Sequence, residues 1–401
     1  MTKKISLLSI TLGFVSLLIL LPIIMIDNMK PSLNQNNLLS INSKDISKIE
    51  KILTKDLAIA LINNKLAGGG WNGHLIEDDF ETYTSIAESA FEGNQNIRSI
   101  TLPLSVTSIG IKSFSNLTIL ENIALPGVTS IGSSAFTNLP KLTAIELPVL
   151  RSISENAFFG ATSLKSIDLP SATNVAAGAF TEASSLTSIN LPLVTTIGPS
   201  AFVGVSSLTS IDLPSAKTIG PGAFQGINVT SITAEQVTEI GAGAFSDLSK
   251  LTNIELSNAI NIEQNAFANA ISLEFIELPK AETIGDAVFN GCTNLKVIEL
   301  LVAQTIGANA FNGASNIVKN GIRLTESIDI NFDKANQWGT SSDKLDLSGT
   351  IYPIPTIPPI SPPNDDGIDW ILWGSVIGGV SLLLIIGLIT GILLYRKKKS
   401  E

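Results

Sequence analysis

The stretch AFTNLPKLTAIELPVLRSISEN, Ala135 to Asn156, runs straight into AFFGATSLKSIDLPSATNVAAG, Ala157 to Gly178. The two align position by position over 22 residues, with Ala-Phe, Leu, Ile and Leu-Pro shared at the same places. Outward from this pair, the same phenylalanine recurs at Phe91, Phe114, Phe136, Phe158, Phe180, Phe202, Phe224, Phe245, Phe267, Phe289 and Phe311. Every interval is 22 residues, save the first of 23 and one of 21 between Phe224 and Phe245. A fixed period in this range marks a chain of stacked turns, each of which buries its apolar face only against its neighbours. The unit reads A-F-x-x-x-x-x-L-x-x-I-x-L-P-x-x-x-x-I-G-x-x.

Each column has a physical reading. Ile145 and Leu147 alternate after Leu142, as a short strand with one buried face must. Pro148 has no N–H to donate to a ladder and ends the pairing. The β-branched column Ile131, Ile153, Val175, Ile197, Ile219 predicts a second short strand on the far side of the coil. Glycine follows it at Gly110, Gly132, Gly198, Gly220, Gly241, Gly285 and Gly307, which suggests a tight corner. Ser154, Ala176 and Glu263 hold that place in other turns, so positive φ is not required in all of them. The sole cysteine, Cys292, shares its column with Leu117, Leu139, Ala161, Ala183, Val205, Leu248, Ala270 and Ala314. A buried free cysteine behaves as a small hydrophobe, whereas a reactive one needs exposure and a cationic neighbour. Cys292 is therefore expected to be buried and inert.

The segments VFNGCTNLKVIELL and SLTSIDLPSAKTIGPGAF resemble the BspA-type leucine-rich repeats of bacterial and protist surface proteins, and the resemblance spans about residues 84–324. That family often carries cysteine three residues after each phenylalanine; here only Cys292 keeps it. The expected fold is mainly β: a leucine-rich repeat solenoid of about eleven 22-residue turns with short parallel strands, an N-terminal helical cap and a single C-terminal transmembrane helix. The resemblance implies a surface-exposed binding or adhesion protein and names no ligand, because repeats are scaffolds for many partners.

The ends suit that reading. Residues 1–26 read as a signal peptide or an N-terminal membrane anchor: Lys3 and Lys4 precede an uncharged run from Ile5 to Ile26. Residues 27–83 read as a linker and helical cap, with Ile46, Ile49, Leu53, Leu57 and Leu61 at helical spacing, Ser43 as the cap and Gly68 to Gly70 as the stop. His74 lies just beyond, as a loop or cap residue. After the repeats, 325–350 reads as a C-terminal cap and 351–367, with YPIPTIPPISPP, as a proline-rich stalk of extended geometry. The uncharged run 370–395 is long enough to span a bilayer. The basic tail 396–401 places the C-terminus in the cytoplasm, and the chain is read as a single-pass cell-membrane protein with its repeats extracellular. Gly374 and Gly378, and Gly387 and Gly391, form two G-x-x-x-G pairs on opposite faces of that helix, so at most one pair supports self-association.

Composition excludes other classes. One cysteine and one histidine among 401 residues leave no disulfide framework and no Cys/His zinc site. A net charge of -10 argues against nucleic acid. The uniform repeats contain no histidine, no P-loop and no G-x-S-x-G, so neither an enzyme nor a cofactor is expected. A passive spacer and, behind it, a polysaccharide-acting β-solenoid remain the alternatives.

A binding site would lie on the outward face of the main sheet. One ladder there reads Thr101, Ala124, Glu146, Asp168, Asn190, Asp212, Thr233, Glu255, Glu277, Glu299: six acids and no base. The other is rich in serine and asparagine until Phe275 and Val297, and Leu301 replaces a proline nearby. Phe275, Val297 and Leu301, beside Glu255, Glu277 and Glu299, are expected to form an apolar patch for a protein or matrix partner. Alternatively a terminal segment bearing Phe332 or Trp338 covers them, and the acids are a solvated face that blocks aggregation.

Overall fold

In the computed structural model, residues 51–324 and 336–346 are described. They form one parallel solenoid of about twelve turns. The main face carries three-residue strands such as Ala144–Glu146, Ser166–Asp168 and Ser188–Asn190. The opposite face carries the predicted two-residue strands, such as Ser152–Ile153, Asn174–Val175 and Thr196–Ile197. Pairing is parallel and in register with the repeat: Ile167 lies beside Ile189, and Val175 beside Ile153 and Ile197. Side chains alternate as a half-buried strand requires, with Ile167 buried between exposed Ser166 and Asp168.

The third side is built around the phenylalanines. Phe91 to Phe311 form one buried stack with ring centroids 5.0–5.8 Å apart and interplanar angles of 3–19°. The 21-residue interval does not break it, since Phe224 and Phe245 still stack at 5.7 Å. Backbone bonds link the turns here too: the amides of Ser134, Phe136 and Asn138 donate to the carbonyls of Glu155, Ala157 and Phe159 at 2.7–2.9 Å.

That geometry needs two left-handed residues per turn, two positions before and two after each phenylalanine. Around Phe158 these are Asn156 (φ 53°) and Gly160 (φ 69°); around Phe289 they are Ala287 (φ 53°) and Gly291 (φ 73°). The glycines expected to make the corner do something else. None of that column has positive φ; instead a Cβ on Gly132 would stand 2.4 Å from the Ile111 nitrogen. They permit close approach between turns. Alanine gains no compensation in the left-handed region, where a Cβ costs about 1–2 kcal/mol. Ala287→Asn, which copies Asn156, Asn265 and Asn309 of the same column, should therefore raise stability by about 1 kcal/mol in urea unfolding. An unchanged midpoint would show that the turn relaxes around alanine.

The N-terminal helix differs from expectation. It spans Lys55–Ala67, with Thr54 as its cap, whose hydroxyl accepts from the Leu57 amide at 3.4 Å. Leu53 is not on it: Ile52–Leu53 is a strand paired with Ser85–Ile86, and this adds a turn before the first repeat. The buried helical residues are Ala58 and Ile62, while Leu57 is 40% exposed. Gly68 does end the helix, its N–H bonding to Asn64. His74 is a strand residue, paired beside Ser99. Phe80 extends the aromatic column edge-on, 6.3 Å from Phe91.

Among the described residues no helix is long and apolar enough to cross a membrane. The 1–26 and 370–395 runs, Ser43, Ile46 and Ile49 of the expected cap, the proline-rich stalk, the four glycines of the G-x-x-x-G pairs, the 396–401 tail and Phe332 lie outside the described residues.

Cys292 is where its column put it. It is fully buried, its thiol donates to the Phe267 carbonyl at 3.1 Å, and burial pushes its pKa up to about 12. The thiol form is the one the fold stabilises, so that contribution is complete below the ordinary value of 9.0 and is lost as pH rises from there toward 12. The parent should lose stability between about pH 9 and 12 relative to Cys292→Ala, a residue its column accepts. Parallel pH curves for the two would contradict this. Thiol reagents should label the folded chain only after denaturant is added.

Candidate binding face

The main sheet presents two outward columns, and their exposure changes along the solenoid. Glu146, Asp168 and Asp212 are exposed, as are Ser166, Ser188 and Ser210. Adjacent acids are partly offset within the ladder: the Asn190 amide donates to Asp168 at 2.7 Å. Although Asp212 is exposed as a residue, partial burial of its carboxyl pushes it above its ordinary range, and Glu235 adds like-charge repulsion, against a hydrogen bond from the Leu213 backbone.

Further along, the face closes. Glu255 and Leu301 are half-buried, Glu277 is exposed and Phe275 is half-buried, with the Lys296 ammonium 5.8 Å from its ring centre. Val297 is only 9% exposed and Glu299 only 7%. The expected apolar patch is therefore not one open surface. The strand Ile322–Leu324 lies beside Val297–Leu300, and Arg323 stands next to Glu299 and joins it at 2.7 Å. Beyond it, Leu345–Asp346 places Asp346 beside Arg323. The acidic ladder thus continues with a base and another acid. Trp338, also buried, follows the phenylalanine stack: its carbonyl accepts from the Phe311 amide at 2.8 Å. Of the residues expected to meet a partner, Phe275, Leu301, Glu255 and Glu277 keep exposed surface, together with Glu146, Asp168 and Asp212; Val297 and Glu299 are covered.

One residue of this face escaped the sequence reading. Asn253 shares Phe275's column one turn earlier, is 8% exposed, and its Oδ1 has no hydrogen-bond partner. An asparagine in a column rich in serine and asparagine carries no sequence signal of this kind.

On the phenylalanine side, a shallow groove of about 570 Å³ is lined by Ser200, Gln225, Asp247, Asn265, Asn269 and Asn290 among others. Its polar groups bond to one another, with Asp247 accepting from Asn269 at 2.9 Å and from Gln225 at 3.2 Å. Among the described residues no group of histidine, cysteine and acidic side chains is placed to hold a metal.

Comparison with known proteins agrees with the fold. The family model described as BspA type Leucine rich repeat region matches with six copies over residues 84–192, 173–296 and 260–355. No relative is found among curated proteins. Among solved structures, a leucine-rich repeat protein from Bacteroides ovatus is 24% identical, covering 66% of this chain and 87% of that one with a TM-score of 0.45. A leucine rich cell surface protein from Faecalibacterium prausnitzii is 22% identical over 65% of this chain and 87% of its own, with a TM-score of 0.33. The pneumococcal vaccine antigen PcpA is 19% identical over 68% and 71%, with a TM-score of 0.42.

Proposed function

The chain belongs to the BspA-type leucine-rich repeat family, and from that premise we propose that it is a membrane-anchored cell-surface binding protein, an adhesin or receptor-like module whose repeats meet a protein or matrix partner outside the cell. Membership of a family of surface repeat proteins supports an interaction or surface role in general. The uncharged run 370–395 with its basic tail supports a single-pass anchor with a cytoplasmic C-terminus, and one G-x-x-x-G pair in it would serve self-association. In this reading helix Lys55–Ala67 caps the first turn, where Ala58 and Ile62 join the core, and the 325–350 segment caps the last.

The observation that carries the reading is Phe275. It is the one Phe, Trp or Tyr in the two outward columns of the main sheet among the described residues, and it is half-buried, two residues before Glu277 on its strand and diagonal to Glu255. Apolar groups rimmed by charge mark interaction surfaces, and the carboxylates favour a basic partner and speed encounter. The test is adhesion of cells displaying the chain to wells coated with matrix proteins. Phe275→Ser should reduce adhesion several-fold, while Asp168→Ser, five turns away, should leave it near the parent level. Equal adhesion by parent and both variants would instead favour a passive spacer. A large fall in melting temperature for Phe275→Ser would place the ring in the core and remove the patch.

A further inference from the structure

We propose that the seam between the strands Asn253–Glu255 and Phe275–Glu277 recognises an arginine side chain of the partner; the inference rests on the reading that this face binds. Four observations meet there. First, the main sheet is not one continuous ladder. Its hydrogen-bonded order runs to Ser188–Asn190, restarts from Ser210–Asp212 to Asn253–Glu255, and restarts again at Phe275–Glu277. The two strands of the seam are neighbours in the stack but belong to separate hydrogen-bonded sheets. Second, Asn253, on one strand of this seam, carries a buried Oδ1 with no hydrogen-bond donor to satisfy it. Such an acceptor costs free energy unless a donor arrives, so it points to a ligand N–H or O–H. Third, Phe275 is half-buried at the same place, with the Lys296 ammonium 5.8 Å from its ring centre. Fourth, Glu255 and Glu277 meet no cation among the described residues, whereas Lys296 is committed to Glu274 at 2.7 Å.

The other interruption of the main sheet is the control within the molecule. Between Ser188–Asn190 and Ser210–Asp212 the outward residues are Ser188, Asn190, Ser210 and Asp212, with no aromatic and no orphan acceptor. Only the later seam combines the four features.

The geometry favours guanidinium over ammonium. Outward residues on one strand alternate with inward ones, and adjacent turns are about 4.8 Å apart, so Asn253, Glu255, Phe275 and Glu277 mark the corners of a small rectangle. A guanidinium is planar and carries five N–H donors in a fixed fork. It can bridge two carboxylates one turn apart, stack on the phenyl face and still direct an N–H to Asn253. An ammonium is a compact, strongly hydrated charge that cannot do all three at once.

The experiment titrates the intact protein with two defined probes of equal charge, hexa-arginine and hexa-lysine peptides, at physiological salt by calorimetry. Hexa-arginine should bind several-fold more tightly. Glu255→Gln and Glu277→Gln should each weaken hexa-arginine by about tenfold, the scale of a lost charge-assisted bond. Asn253→Ala should reduce the preference for arginine over lysine. Glu146→Gln makes the same charge change on the same ladder five turns away and should have little effect. Thermal melts of every variant confirm folding; Glu146, Glu255 and Glu277 keep exposed surface, whereas Asn253 is buried, so its melt is the one that matters most. Equal affinity for the two peptides, no binding of either, or equal loss from Glu146→Gln and Glu255→Gln would overturn the proposal by reducing the effect to general attraction to an acidic surface. The proposed function fails separately: arginine selectivity without any loss of adhesion in Phe275→Ser would keep the seam and remove its role in adhesion. Loss of adhesion without arginine selectivity would do the reverse.

Discussion

Phe180→Ala will lower the unfolding free energy by about 3–5 kcal/mol, the cost of removing a fully buried aromatic from a core that cannot close around the gap. The ring has no exposed surface and is stacked on both sides, 5.3 Å from Phe158 and 5.4 Å from Phe202. Collapse is restricted because the flanking backbone is tied to both neighbours: the Phe180 amide donates to Ala201, and the Ala179 carbonyl accepts from Phe158. In a solenoid each turn contacts only its neighbours, so stability is nearly a sum of turns and of the interfaces between them. A cavity in the middle weakens two interfaces at once and leaves intact aromatic stacks on either side. Urea unfolding followed by circular dichroism should therefore show an earlier transition that is also broader, or split in two. Leu193→Ala, at a corner where the side chain is 51% exposed, should stay within about 0.5 kcal/mol of the parent. Comparable losses from the two substitutions would mean that the stack does not hold the turns together.

The phenylalanine period was legible because burial repeats once per turn and nothing else in the turn can hold so large a side chain. The left-handed positions beside it were not legible. They hold glycine, asparagine, serine or aspartate, but also Lys112, Glu182 and Ala287, because a fixed ladder on both sides forces the conformation whatever residue stands there. The glycine column was read for its backbone freedom, when its function is to let two backbones approach. The helix was begun too early because Leu53, Leu57 and Leu61 share a helical spacing by coincidence: Leu53 points inward from a strand, and the helix buries Ala58 and Ile62 instead. At the binding face one cause of the error lies in the spacing. Glu299 and its ladder partner Arg323 are 24 residues apart instead of 22, so projecting the period past the last phenylalanine passes over the base that neutralises Glu299.

That base should matter as much as any core residue. Arg323→Met is expected to cost about 3–5 kcal/mol, because it leaves a buried carboxylate with no opposing charge. The pair is well removed from water, with 13% of the arginine side chain and 9% of the glutamate side chain exposed, and it is joined at 2.7 Å. Glu299 and Asp346 flank Arg323 along the ladder and are both buried, so the substitution removes the positive charge that stands between two acids on either side of one strand. The strand Leu345–Asp346 is held by only two paired residues and should loosen first, which hydrogen exchange at its amides would report. If an unpaired charge is the cause, the double substitution Arg323→Met with Glu299→Met should recover much of the loss, since apolar side chains of similar volume can replace a buried pair at little cost. If the double variant is as unstable as the single one, the side chains matter for their packing and not for their charge. The same substitution bears on the neighbouring face: Val297 is 9% exposed on a strand paired with Ile322–Leu324, and loosening of that strand should expose it beside Phe275. Arg323→Met should therefore bind an apolar dye such as ANS more strongly than the parent well below its unfolding midpoint, while Phe180→Ala, which weakens the middle of the stack, should do so only as it unfolds.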